Sequence, residues 1–116
     1  MFIYMLECED GSIYTGVARE LFKRMRDHFE KTAAVAAYTR AHPPRRLLAV
    51  WECESYSGAL RAEAAIKRLT RAEKLALIAD AAPLTRERFP RLLEEPYLPL
   101  AADDARLIEV QALYKA

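Results

Sequence analysis

Two short runs of apolar, aromatic and β-branched residues open the chain, Phe2 to Cys8 and Ser12 to Val17, on either side of Glu9-Asp10-Gly11. Asp-Gly between such runs predicts a β-hairpin. The loop length sets which side chains share a face. A two-residue loop puts Tyr4 opposite Val17 and sends Tyr4 and Tyr14 to opposite sides of the sheet. A three-residue loop, with Gly11 left-handed as a bulge, puts Tyr4 opposite Gly16 and both tyrosines on one side.

The period then lengthens. Leu21, Met25 and Phe29 recur every four residues and predict a helix from about Arg19 to Lys31, with these three as its buried stripe. Arg24 and His28 are also four apart, on the ridge beside that stripe. The alanine-rich stretch from Ala33 to Ala41 reads as helix, carries Tyr38-Thr39-Arg40 and stops at His42-Pro43-Pro44. Arg46 to Cys53, with Leu47, Leu48, Val50 and Trp51, reads as a third strand with Trp51 in the core. Ser57 is placed to cap a helix through about Leu69. Its core face is Ala59, Ala62, Ile66 and Leu69, and Glu63 and Lys67 lie one step round. Thr70-Arg71-Ala72-Glu73 has the form of a capping box and opens a helix to about Ala81.

Beyond that point Pro83, Pro90, Pro96 and Pro99 cut the chain into short pieces, and Asp103 or Asp104 can cap a last helix carrying Leu107, Ile108 and Leu113. The expected architecture is therefore α/β, of the α+β type: a small, mainly antiparallel three-stranded sheet flanked by helices over residues 1–80. A helical C-terminal extension, 81–116, packs on it or forms an interface.

At 116 residues and 53% hydrophobic, the chain reads as one folded domain and not as a disordered one. No run approaches the roughly 20 apolar residues of a membrane span. No signal-peptide pattern is seen at the N-terminus, so the expected location is the cytoplasm. Cys8 and Cys53 then read as two buried free thiols. The net charge of +1 conceals an asymmetry: Arg19 to Arg46 holds eight Lys/Arg against three Asp/Glu, and Arg61 to Lys74 five against two. Two basic stretches on a near-neutral chain point to a basic face and a polyanionic partner, although basic residues also simply solvate helix surfaces.

The ordered set of motifs resembles the GIY-YIG nuclease superfamily, in its small single-domain bacterial branch. The residues that carry the resemblance are Phe2-Ile3-Tyr4, Tyr14-Thr15-Gly16, Arg24-x-x-x-His28 and the run Leu60 to Lys67 around Glu63. Leu6 to Ser12, Tyr38-Thr39-Arg40 and Thr70 to Ile78 add to it. Phe2 stands where the family's name-giving motif has glycine, and Phe29 where an asparagine often follows the histidine. Thr32 to Ala37 lacks a Gly/Lys-rich loop, and the tail from Ala82 has no recognised counterpart.

The resemblance implies a metal-dependent phosphodiesterase acting on DNA with broken, branched or single-stranded features, in repair or recombination. Tyr4, Tyr14, Arg24, His28 and Glu63 would be catalytic. Glu63 would hold one Mg²⁺ (or Mn²⁺) that keeps several waters, and Arg24 would pair with the phosphate. One of the two tyrosines would orient or deprotonate the attacking water, and His28 would take the proton onward. Arg24, Thr39, Arg40 and Lys67 would contact DNA. No small organic cofactor and no membrane are implied, and the chain would be a monomer or homodimer. The alternative is a non-catalytic nucleic-acid-binding module on the same fold. Taken singly, each of these residues has an ordinary structural role open to it; the functional reading rests on their order.

Overall fold

A computed structural model describes residues 1–30 and 37–114. The element order is β1 (Phe2–Cys8), β2 (Ile13–Ala18), α1 (Leu21–Glu30), α2 (Ala37–Ala41), β3 (Pro44–Glu52), α3 (Tyr56–Lys67), α4 (Arg71–Asp80), β4 (Leu98–Pro99) and α5 (Ala105–Ala112). The stretch at Thr32 to Ala36, noted above for its missing Gly/Lys-rich loop, lies outside the described residues. So does the start of the helix expected from Ala33.

The hairpin takes the three-residue loop. Gly11 N–H donates to Cys8 O at 2.9 Å, Cys8 N–H donates to Ser12 O at 2.8 Å, and Gly11 sits at φ +84°. That φ lies in the left-handed region that glycine enters without a Cβ penalty. Asp10 fixes the turn from its side chain: Oδ1 accepts Ser12 N–H at 3.0 Å and Ser12 Oγ–H at 2.6 Å. The register that follows pairs Tyr4 with Gly16 and Leu6 with Tyr14.

The sheet is antiparallel with strand order β2-β1-β3-β4, so β1 is central and β2 is an edge. Strand alternation divides the core in two. Ile3, Met5 and Trp51 face α3, through Ala59, Ala62 and Ile66, and α4, through Leu77. Phe2, Tyr4, Leu6 and Val50 face α1, through Leu21 and Met25, and α5, through Val110.

Three expectations are corrected. The sheet has four strands, not three: Leu98 and Pro99 pair with Glu52 and Trp51. A two-residue strand has no periodicity to read, and Pro99 is tolerated because it lies on an edge. The cap of α3 is Ser55, not Ser57, with its Oγ accepting Gly58 N–H at 2.9 Å. In α1 the buried residues are Leu21, Met25 and His28, while Phe29 is 44% exposed. Steps of four overrun the 3.6-residue turn, and a step of three after Met25 returns the stripe to the sheet with histidine in place of phenylalanine.

The tail crosses from one face of the sheet to the other. Leu84, Phe89, Leu92 and Tyr97 pack with α3 and α4, β4 extends the sheet beyond β3, and α5 covers the opposite face. Glu95 caps the start of α3 from outside it. Its Oε1 accepts the N–H groups of Glu54 and Ser55 at 3.1 and 3.0 Å, and its Oε2 accepts Ser55 Oγ–H at 2.7 Å. Tyr97 Oη–H donates to Gly58 O at 3.1 Å. Trp51 Nε1–H donates to Ala82 O at 2.8 Å, joining β3 to the first residues of the tail.

Candidate active site

The bulged register puts Tyr4 and Tyr14 on the α1 side of the sheet, with ring centroids 6.3 Å apart and planes tilted by 44°. Gly16 lies beside them on β2. A Cβ there would press on the Tyr4 hydroxyl and come within 2.6 Å of Tyr4 Cζ and 3.0 Å of Tyr14 Cε2. The close approach of the phenols to the strand therefore depends on glycine at this position. Gly16→Ala is expected to cost about 1–3 kcal/mol in urea unfolding, because Tyr4 is fully buried and cannot swing aside. An unchanged unfolding midpoint would refute that account of Gly16.

The α1 helix lays His28 across the same face. His28 Nε2 is 2.7 Å from Tyr4 Oη, and His28 Nδ1 is 2.8 Å from Thr39 Oγ1 on α2. Arg24, one turn earlier, donates from Nε to Tyr4 Oη at 3.4 Å. One donor order, among those the two histidine tautomers allow, satisfies all three contacts. With Tyr4 Oη accepting from Arg24, its own hydrogen is directed at His28 Nε2. The imidazole then carries its proton on Nδ1 and donates it to Thr39.

Burial governs the charge states. It holds His28 down at about 4, with the Arg24 guanidinium adding to the effect and Asp27 opposing it. Burial also pushes the Tyr4 phenol above its ordinary value, although the Arg24 hydrogen bond works against it. Tyr14, half-buried, is raised by burial and by Glu63 and drawn back by Arg24. For Arg24 burial works to lower the pKa, but the Tyr4 hydrogen bond and the two phenols outweigh it and the net shift is upward.

His28 therefore has a folded-state pKa below its unfolded one. Between about 6.5 and about 4 the unfolded chain binds a proton that the folded chain does not. Stability contributed by the neutral imidazole is present above that window and falls as pH is lowered through it, by on the order of 3 kcal/mol. His28→Gln, which carries no such proton, is expected to flatten that part of a stability–pH curve measured by denaturant unfolding. An equal slope in both proteins would contradict a neutral buried His28.

Glu63 and Lys67 come from the other side of the sheet. They reach the site because β2 is an edge strand, around which α3 can extend side chains. Lys67 Nζ stands 5.8 Å from the centroid of the Tyr14 ring and 3.7 Å from Glu63 Oε2. Glu63 is half-buried, and its charge raises both phenols. A cavity of about 410 Å³ opens beside Arg24, lined also by Val17, Arg19, Lys23 and Asp27. Tyr4, Tyr14, Arg24, His28 and Glu63 thus converge on one edge of the sheet.

Two residues expected at DNA differ in position. Arg40 is exposed, whereas Thr39 is fully buried, with its hydroxyl on His28. Thr39 fixes the imidazole, and its side chain is closed to solvent.

Three residues not expected among the site residues extend the site. The Tyr38 ring stacks on Tyr14 at 5.6 Å and 22°, and on His42 at 4.3 Å and 19°. His42 Nδ1 lies 2.6 Å from Asp10 Oδ2 in the hairpin loop. The Asp10 carboxyl is held at about 2 by the Ser12 hydroxyl, the Ser12 N–H and His42. The signal was present as the four-residue spacing of Tyr38 on α2 and His42 just past its end, one turn apart.

Among the described residues no group of three or more His, Cys, Asp and Glu forms a closed metal cage. A single half-buried carboxylate on an open edge suits a hard cation that keeps its waters and takes phosphate oxygens as further ligands. It does not suit zinc, which wants three or four nitrogen or sulfur ligands.

A family model described as the GIY-YIG catalytic domain matches residues 1–76. A UPF0213 protein of Xanthomonas axonopodis pv. citri is 43% identical over 83 residues, which is 72% of this chain and 78% of that protein. A UPF0213 protein of Fusobacterium nucleatum is 41% identical over 78 residues, covering 67% of this chain and 76% of that one. The solution structure of a UPF0213 protein from Bacillus halodurans is 38% identical, covers 67% of this chain and 81% of its own, and has a TM-score of 0.44.

Proposed function

From the premise that this chain belongs to the GIY-YIG catalytic-domain family, a family of phosphodiester-cleaving nucleases, we propose that it is a divalent-metal-dependent DNA endonuclease. Its substrate would be broken, branched or single-stranded DNA met in repair or recombination. One observation carries the reading above the others. The Tyr4 hydroxyl is held between His28 and Arg24 at 2.7 and 3.4 Å, within the field of the Glu63 carboxylate. A buried phenol fixed at once by a neutral imidazole and a guanidinium is more elaborate than packing requires, and it suits proton transfer beside an anion.

Glu63 would hold Mg²⁺ or Mn²⁺, and a bound ion of this kind supplies charge neutralisation at the phosphoryl oxygens. Arg24 supplies a fixed cation for the same phosphate, and its upward shift keeps it charged throughout. Tyr14 is the phenol with access to solvent, and it orients the attacking water. Tyr4 is fully buried and acts by position: its hydroxyl, between His28 Nε2 and Arg24 Nε, holds the guanidinium beside the phosphate site, and the neutral His28 holds the phenol in place. Lys67 steadies Glu63 and adds a cation near the Tyr14 ring. A domain of this size has little surface for reading long sequences, so it grips phosphates and responds to shape.

The test is incubation of the purified chain with end-labelled branched, nicked and plain duplex DNA, with Mg²⁺, with Mn²⁺ and with a chelator. Cutting that needs the metal and favours the branched or broken substrates is expected. Binding without cutting under every metal would overturn the endonuclease reading.

A further inference from the structure

The basic stretch from Arg61 to Lys74 does not lie wholly at the site. Helix α3 divides it. Glu63 and Lys67 occupy the flank facing β2, while Arg61 and Arg68 project from the other side, about 100–160° round the helix at 100° per residue. There they meet the tail. Between α3 and residues 88–91 lies a cavity of about 470 Å³, lined by Arg61, Arg68, Arg88 and Arg91 and, on its apolar side, by Ala64, Ala65 and Leu69, with the buried Phe89 ring under the Arg88 guanidinium at 5.2 Å. Its one acidic lining residue is Glu73, whose carboxylate is already committed to Thr70 N–H at 2.9 Å in the cap of α4. The rim is built and not merely crowded: Arg61 Nη1 donates to Arg91 O at 3.1 Å, which ties the helix to the tail. Arg88 is 3.9 Å from Asp80, a distance at which an exposed pair contributes little.

We propose that this arginine-rimmed cavity is a second polynucleotide-binding site, taking an unpaired stretch of nucleic acid with its phosphates on the guanidiniums and a base on the apolar side. Four guanidiniums against one occupied carboxylate leave an excess of positive charge that phosphates complement. An apolar side to such a cavity fits the flat face of a base, and duplex phosphates alone would not need it. The volume lies within the range of sites that enclose small ligands. The cavity and the Glu63 flank are separated by the width of one helix, about 10 Å, which a few nucleotides span. A branched substrate could leave its paired part at the β2 edge and its loose strand here. Half of the rim, Arg88 and Arg91, lies beyond residue 76, where the family match ends.

The inference takes the identity of its ligand from the polynucleotide reading above, but its test does not use cleavage. Fluorescence anisotropy of a labelled oligothymidylate is measured against the full chain, the double variant Arg68→Glu/Arg91→Glu and the milder Arg68→Gln/Arg91→Gln. Arg86→Glu is the charge control, on the same tail but outside the cavity. These side chains are exposed, so folding, checked by thermal melting, is expected to persist. The Glu double variant should lose about tenfold or more in affinity, and both double variants should show a shallower dependence on salt, by roughly 1–2 in logarithmic slope. Arg86→Glu should change neither appreciably. Equal loss in Arg86→Glu would mean bulk charge alone and overturn the site. So would wild-type affinity in the double variants, or displacement of the oligonucleotide by polyglutamate as readily as by unlabelled oligothymidylate. A chain that cuts nothing but passes this test keeps the second site and loses the catalytic reading; the reverse result does the opposite.

Discussion

Deleting residues 82–116 is expected to unfold the whole chain and not to release a working nuclease core. The family match ends at Ala76, which invites the view that everything after α4 is dispensable. The packing argues otherwise. Leu84, Phe89, Leu92 and Tyr97 are buried with α3 and α4, and Val110 is buried against α1. The deletion exposes the apolar surfaces of α1, α3 and α4 that these side chains cover, each buried side chain being worth about 1.5–3 kcal/mol before the entropy of ordering the tail is set against it. The deletion also leaves Trp51 Nε1 without its acceptor and removes the carboxylate that caps the start of α3. Far-ultraviolet circular dichroism and thermal melting of the truncated chain should show no cooperative transition. A sharp melt from residues 1–81 would show that the core stands alone.

Glu63→Gln is expected to abolish cleavage while leaving the fold and DNA binding in place. The substitution keeps the shape of the side chain and removes the charge. If Glu63 carries the metal, the loss should be that of a several-kcal/mol charge-stabilising element, about 10²–10⁴-fold in rate. The structural cost is small, because the partner it deserts, Lys67, is half exposed in its side chain and about 4 Å away. Binding should hold or tighten, since a negative charge is taken away from a phosphate site. The Tyr14 phenol should titrate lower than in the wild type, because Glu63 helps to raise it. Carbon-13 labelling at tyrosine Cζ reads that shift whether or not the protein cuts DNA. Cleavage at the wild-type rate would remove Glu63 from the mechanism.

The parts of this molecule that repeat or have a dedicated turn chemistry could be read before the structure. Asp10-Gly11 announced the hairpin, Thr70 to Glu73 announced α4 with both halves of its capping box, and the apolar face of α3 was legible at Ala59, Ala62 and Ile66. The hairpin left two registers open, and only the structure chose between them. What could not be read was set by contacts distant in sequence. β4 exists because β3 offers an unpaired edge. Ser55 displaces Ser57 as cap in company with a carboxylate forty residues away. Among site residues, Tyr4, Tyr14, Arg24 and His28 were visible as a pattern of spacing. Their environment was not, because burial decides it: His28 looked like a flank residue and lies wholly inside. Thr39 was expected at DNA from the resemblance, yet its side chain turns inward between the exposed Tyr38 and Arg40.

The position of β1 has a consequence in time. β1, the central strand, is made well before β4 and α5, which complete its surroundings. At roughly 5–20 residues per second on the ribosome, residues 82–116 take about 2–7 seconds. Throughout that interval β1 and the tyrosine-bearing hairpin are already outside, with the part of the sheet that α5 covers still open beside α1. The half-made chain is then a target for chaperones and for self-association.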